Sequence, residues 1–394
     1  MDLFKKCYDY TAPQEVKAQG IYPYFHPLES MQDTEVIIEG RKTIMIGSNN
    51  YLGLTCDPRM IEAAKKAADE YGTGCTGSRF LNGTLDLHVK LEKKLAEFIG
   101  KEDAITFGTG FQTNLGIVSA LAGRNDYIIN DRENHASILD ACRLSFAKKL
   151  NYKHNDMEDL EDVLKRIPDD AGKLIITDGV FSMGGDIADL PGIVKLAKKY
   201  GARVMVDDAH GLGMLGKCGR GTADYFGLTK EVDVIMGTFS KSLAALGGHM
   251  VADTPIIEYV KHISRPFIFS ASVTPVSAAV ALKGLEIMES EPERVEKLAA
   301  NATYMREGFR KLNIPFGMSK TAIIPVMTYD DDKTFILTKT LLENGVYVNP
   351  VISPAVEKGN ALLRTSYTAT HTTDQLDQAL AVFARLWPQF YGVN

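Results

Sequence analysis

Arg203-Val204-Met205-Val206-Asp207-Asp208-Ala209-His210 is the stretch on which the reading of the fold turns. Val204-Met205-Val206 is apolar with no polar alternate, which is how a strand buried on both faces of a parallel sheet reads. The run stops at two carboxylates and a histidine. In open α/β sheets the ligand site lies just beyond the carboxyl ends of the strands. Charge at that end of a buried strand therefore marks a fold and a place within it.

Outward from this stretch the pattern repeats. Short apolar runs at 104–107, 127–130, 174–177, 234–236 and 249–251 are bounded by turn residues. Helix-like segments at 112–122, 135–147 and 190–200 separate several of them, and 57–71 and 84–98 carry apolar residues at helical spacing. The alternation predicts an α/β fold with a mostly parallel central sheet flanked by helices. Beyond Ser272 the character changes. A long helical region, 275–310, breaks once at Glu291-Pro292. It leads into a strand at 322–328, a helix at 333–344, a strand at 362–366 and a last helix at 374–386, a smaller C-terminal α+β domain. Short strands at 35–39 and 42–46 belong to an irregular beginning expected to pack against that domain. The expected division is an N-terminal arm, 1–54, a large domain, 55–285, and a small domain, 286–394.

Composition removes several classes of function. The chain has 394 residues, 45% hydrophobic and 24% charged, with a formal net charge of −6. A nucleic-acid binder carries a basic stripe, because phosphate contacts supply most of its affinity. Here Lys65-Lys66, Lys93-Lys94, Lys148-Lys149 and Lys198-Lys199 are scattered, and are expected on solvated helix faces. Nucleic acid is not an expected partner. The five cysteines are odd in number and far apart with no CxxC, so neither a zinc ribbon nor a disulfide framework is expected, and no metal site. The N-terminus lacks the apolar core of a signal peptide, and no apolar run approaches a membrane span. A cytoplasmic protein is expected, with peripheral contact to a membrane surface left open.

Glycine offers a false lead. Two segments match GxGxxG, Gly72 to Gly77 and Gly211 to Gly216. A dinucleotide fingerprint needs a strand before it, a helix opening at the glycines and an acidic residue about 20 positions on. The first segment follows a helix. The second follows a strand, but continues as Lys217-Cys218-Gly219-Arg220-Gly221, a loop composition. Nicotinamide cofactors are therefore disfavoured.

Three polar segments sit at or just after predicted strand ends: Asn134-His135-Ala136-Ser137, Asp207 to His210, and Gly237-Thr238-Phe239-Ser240-Lys241-Ser242. Together they offer what pyridoxal 5'-phosphate needs. Lys241, among small residues that let a bulky cofactor approach, is a candidate for the Schiff base. Asp207, closing an apolar strand, is a buried carboxylate in want of a cation, and a protonated pyridine nitrogen is one. His210 is placed to bond the ring hydroxyl and His135 to stack on the ring. Gly108-Thr109-Gly110-Phe111-Gln112 leads from a strand into a helix, where free N–H groups favour phosphate, with the Thr238 hydroxyl beside them.

On these residues the sequence resembles the α-oxoamine synthases, fold-type I pyridoxal phosphate transferases that condense an amino acid with an acyl thioester and release CO₂. The likeness runs nearly the whole chain. It includes Ser48-Asn49-Asn50-Tyr51-Leu52-Gly53-Leu54, Gly77-Ser78-Arg79, His88 with Leu91-Glu92, Asp178-Gly179-Val180-Phe181-Ser182-Met183, and Arg364 with His371-Thr372. The resemblance implies Lys241 and His135 as catalytic residues. It implies Gly110, Phe111, His135, Ser182, Asp207, His210, Thr238, Lys241 and Ser270 around the cofactor, with Ser270 reaching the phosphate from the other subunit of a homodimer. It implies Arg364, assisted by Asn49, as the site of the amino-acid carboxylate. Leu81-Asn82-Gly83-Thr84, Phe239-Ser240 before the lysine and Leu363 before Arg364 are similar to members using L-serine and a long-chain acyl-CoA. Members using glycine or alanine are the alternatives, and an aminotransferase of the same fold a more distant one.

Overall fold

The computed structural model describes residues 2–392. Its centre is a seven-stranded sheet. From one edge the strands run Asp103–Phe107, Gly248–Ala252, Val234–Thr238, Arg203–Asp207, Lys173–Asp178, Tyr127–Asp131 and Lys148–Tyr152. Gly248–Ala252 is antiparallel to both neighbours, and every other pairing is parallel.

The unalternated runs have the expected cause. Every residue of Lys173–Asp178, Val234–Thr238 and Gly248–Ala252 is buried. Successive side chains enter different cores, as the pleat requires. Ile175, Val204, Val206 and Ile235 join a cluster with helices Pro58–Tyr71, Asp86–Ile99, Leu190–Tyr200 and Pro275–Ser290. Ile176, Met205 and Met236 join another on the opposite face, with helices Gly110–Leu121, Ala136–Ser145 and Thr254–Ile263. Each fully buried Ile or Met of this kind contributes about 1.5–3 kcal/mol. Because the parallel strands share a direction, Asp131, Asp178, Asp207 and Thr238 all arrive at one edge of the sheet.

The seventh strand, Lys148–Tyr152, corrects one expectation. Lys148-Lys149 lie on this edge strand and not on a helix face, with both side chains in solvent. Periodicity misses it because this edge strand, unlike Asp103–Phe107 at the other edge, is mostly polar and exposed. Its lysines also discourage a further strand from pairing there. Lys148 Nζ lies 3.2 Å from the Tyr127 hydroxyl and 4.9 Å from its ring centroid.

The C-terminal part is built on an antiparallel sheet, Ile323–Met327, Leu362–Ser366 and Asn349–Val351 in that order. Helices Glu293–Lys311, Asp331–Glu343 and Thr373–Tyr391 close its core around Met305, Phe309, Leu337 and Phe383. The N-terminal hairpin, Glu35–Ile38 with Arg41–Met45, extends into this region. Arg41–Met45 pairs in parallel with Val346–Tyr347. That pairing carries residues 47–54 to the seam between the two sheets, where Ser366 Oγ donates to the Ser48 carbonyl at 2.7 Å.

Candidate active site

At the carboxyl edge of the large sheet lies a cavity of about 260 Å³ lined by residues from six segments. Asp207 and Asp178 end adjacent strands and stand opposite in register. Asp207 is held on both oxygens: the Asn114 amide donates to one at 2.7 Å and the Ala209 N–H to the other at 3.0 Å. Asp178 accepts the His135 N–H at 3.2 Å on one oxygen, while its other oxygen is buried without a partner. Burial, then the neighbouring Asp207 charge, push the Asp178 carboxyl well above the usual range.

Lys241 follows the strand Val234–Thr238 in a tight turn and projects into the same cavity. Its amine makes no hydrogen bond or ion pair among the described residues. Burial lowers its pKa to about 8 against the pull of Asp207, with the Arg364 charge lowering it further. An amine near 8 has a substantial neutral fraction at working pH, as a nucleophile and proton carrier requires.

The rest of the wall follows from local structure. Thr109 caps the helix Gly110–Leu121 by accepting from the Gln112 N–H at 3.1 Å, leaving the N–H groups of Gly110 and Phe111 free toward the cavity. A Cβ on Gly110 would stand 2.8 Å from the Thr238 hydroxyl, so this corner admits no side chain. Thr238 Oγ1 also meets Ser240 Oγ at 2.9 Å. His135, at the start of Ala136–Ser145, has Nδ1 at 2.7 Å from Ser137 Oγ, and burial holds its pKa below the ordinary histidine value.

Arg364, on Leu362–Ser366, does not line the cavity but stands behind it. Its Nε donates to the Ser182 carbonyl at 2.6 Å, and Nη2 donates to Asn49 Oδ1 at 3.0 Å and to the Tyr51 hydroxyl at 3.4 Å. The Tyr51 hydroxyl lies 2.7 Å from His210 Nδ1. The structure thus brings together Gly110, Phe111, His135, Asp207, His210, Thr238 and Lys241 around one cavity, with Asn49 and Arg364 joined to it through Tyr51. Ser182 is elsewhere: its backbone carbonyl anchors Arg364, and its side chain is absent from the cavity wall. Ser270 also lies outside the wall formed by its own chain.

Four participants were not singled out from the sequence: Tyr51, Asn114, Ser137 and Asp178. Asp178 carries the same signal as Asp207, a carboxylate ending an apolar strand. Asn114 stands one helical turn after Gly110, on the same face. Tyr51 left no chemical signal, only its place in the run from Ser48 to Leu54.

The loop carrying Ser182 has a tie of its own. His154 Nδ1 lies 3.0 Å from Asp131 and Nε2 2.9 Å from Asp186. Burial would lower this imidazole, but the two carboxylates outweigh it and push it up to about 10.

Some prominent motifs lie away from the cavity. Arg79 forms a buried two-pronged pair with Glu92 at 2.5 and 2.9 Å, and Glu92 also accepts the Thr106 N–H at 2.9 Å. His88 accepts the Leu85 N–H at 3.1 Å and donates to the Val273 carbonyl at 2.7 Å. These groups tie the 77–84 loop to the segment around Val273.

A sequence model of the family described as aminotransferase class I and II matches residues 41–383. The serine palmitoyltransferase of Sphingobacterium spiritivorum is 53% identical over 387 residues, spanning 98% of this chain and 97% of its own length. That of Bacteroides ovatus is 54% identical over 378 residues, 96% of each. Among solved structures, a serine palmitoyltransferase carrying pyridoxal phosphate superposes with a TM-score of 0.97 at 38% identity, covering 100% of both chains.

Proposed function

We propose that this chain, a member of the aminotransferase class I and II family and within it of the α-oxoamine synthases, joins L-serine to palmitoyl-CoA. CoA and CO₂ leave, and the product is 3-ketosphinganine, the first step of sphingolipid synthesis. The observation that carries the reading is the unpartnered Lys241 amine, in a cavity with Asp207 on one wall and free N–H groups on another. The identity to serine palmitoyltransferases over nearly the full length supports the choice of serine.

The residues present fit pyridoxal phosphate. Lys241 would tether it through the aldehyde carbon and Asp207 would hold the pyridine nitrogen in its protonated form. The Gly110 and Phe111 N–H groups, with Thr238, would hold the phosphate in a corner where a Cβ would not fit. When bound, the cofactor supplies an electron sink for negative charge at the amino acid's α-carbon. The protein does the rest. Arg364 holds the substrate carboxylate. Lys241 Nζ takes the α-proton, and its depressed pKa suits it to give the proton back. His135 orients serine and polarises the thioester carbonyl.

Ser270 would complete the site of a second copy, making the working unit a homodimer. No helix among the described residues is long and apolar enough to cross a membrane, and a cytoplasmic enzyme acting on acyl-CoA is the reading we adopt.

The test adds L-serine, glycine and L-alanine separately to the purified holoenzyme and follows the cofactor's visible absorption, then assays CO₂ release with palmitoyl-CoA. Serine is expected to shift the spectrum and support release. A spectrum that responds to glycine alone overturns the substrate assignment. Amino-group exchange with a keto acid without CO₂ release overturns the reaction class.

A further inference from the structure

Tyr51 is fully buried, and its hydroxyl meets three groups: His210 Nδ1 at 2.7 Å, Asn49 Oδ1 at 3.0 Å and Arg364 Nη2 at 3.4 Å. Arg364 Nη2 also lies 3.0 Å from Asn49 Oδ1. A guanidinium has donors only, so Asn49 must turn its amide oxygen, not its nitrogen, into this corner. That oxygen can only accept. The single Tyr51 hydroxyl proton therefore goes to Asn49, since otherwise two oxygens would face each other at 3.0 Å with no hydrogen between them. The Tyr51 oxygen is left as an acceptor, and the proton in the 2.7 Å contact must come from His210 Nδ1.

The charge states agree. Burial holds the His210 imidazole well below its ordinary pKa, and the Lys241 and Arg364 charges press the same way, so the ring is neutral. Burial also raises the Tyr51 phenol, so its proton stays on. A neutral imidazole with Nδ1 protonated has a bare Nε2. His210 lines the cavity with Nδ1 turned away to Tyr51.

We infer that Tyr51 is a positioning residue that fixes the His210 tautomer, so that the nitrogen facing the bound cofactor is a hydrogen-bond acceptor. His210 then receives the proton of a ring hydroxyl and does not donate to a ring oxyanion. The same phenol steadies Arg364, so one buried residue serves both the cofactor end and the carboxylate end of the site. The second half rests on the proposed role of Arg364; the tautomer does not.

The test is nitrogen NMR of the ¹⁵N-histidine-labelled holoenzyme with no substrate, with the His210 signals assigned by their loss in His210→Gln. Wild-type His210 is expected protonated on Nδ1. Tyr51→Phe keeps the packed ring and removes the acceptor, so the Nε2-protonated form should appear, with a shift in the cofactor's visible absorption. In the same variant the KM for the amino acid should rise about tenfold with a smaller change in kcat. Asn49→Ala leaves Tyr51 in place but frees its proton for His210 Nδ1, and should switch the tautomer too, which loss of packing would not do. A wild-type His210 protonated on Nε2, or a tautomer unmoved by both substitutions, overturns the inference. Because the tautomer is read before substrate is added, its failure is distinct from failure of the serine reading.

Discussion

Asp207 and Asp208 are neighbours in sequence, equally buried, and opposite in surroundings. Asp207 faces the cavity with Lys241, His210 and Asp178 around it. Asp208 faces back into the turn that follows, where the Thr222 N–H and hydroxyl each donate to it at 2.6 Å. A Cβ on Gly211 or Gly221 would approach this carboxylate to 1.7 or 2.0 Å. Gly211, the first glycine of the second GxGxxG, and Gly221 thus let the chain close over a buried carboxyl group. The difference lies in partners, not residue types. On the cavity side Asp178 Oδ1 and Asn114 Oδ1 are buried without a partner, and the Lys241 amine makes no hydrogen bond among the described residues; behind the strand both Asp208 oxygens are satisfied. A buried polar group left unpaired costs about 1–3 kcal/mol, and Asp178 and Asn114 each place one such oxygen beside the Lys241 amine in the residues that line the cavity. The Arg79–Glu92 pair and His88 belong with Asp208: their polar groups are spent on one another.

The largest test of this contrast is Lys241→Ala. Turnover should fall at least about 10⁴-fold, and the cofactor's visible band should disappear. The urea-unfolding midpoint should hold or rise, because the amine removed had no protein partner. A variant that keeps turnover and band would sink both the assignment and the idea that missing partners mark the site.

Next is Arg79→Met, which should do the reverse. It leaves Glu92 as a buried unpaired charge, a loss of about 3–5 kcal/mol. The kcat of the folded fraction should stay within about threefold of wild type. If stability held while kcat collapsed, the cluster would belong to the chemistry and the contrast would be broken.

The same contrast explains what was readable in sequence. Six of the seven large-sheet strands showed as apolar runs because their burial is two-sided, a property of composition alone. Lys148–Tyr152 did not, because it buries little, unlike Asp103–Phe107 at the other edge. Lys241, Asp207 and His210 were legible since each breaks a run of apolar or small residues at a strand end. Ser182 was expected beside the cofactor, but a motif names a residue without saying whether its side chain or its carbonyl acts; here the carbonyl accepts from Arg364 and the side chain is not in the cavity wall. Arg79 and His88 share the resemblance with Lys241 on equal terms, and only the hydrogen-bond partners separate scaffold from site. Tyr51 was hidden because two of its three partners, His210 and Arg364, reach it from distant segments.

The smallest effect expected is at Asp208 itself. Burial raises its carboxyl to about 7, outweighing the Thr222 hydrogen bonds that lower it. In the unfolded chain an aspartate titrates near 3.9. Between about pH 4 and 7 the folded protein therefore keeps a proton that the unfolded chain has released, so this group's contribution to stability falls as pH rises. The slope is at most about 1.4 kcal/mol per pH unit. Asp208→Asn cannot titrate, and it can still accept from the Thr222 N–H while donating to the hydroxyl. Its urea-unfolding free energy should decline less than that of wild type from pH 5 to 7, with a constant gap above pH 8. Parallel curves would mean that Asp208 stays ionised, held by Thr222 alone. The distinction between the two neighbouring aspartates would then rest on geometry and not on charge.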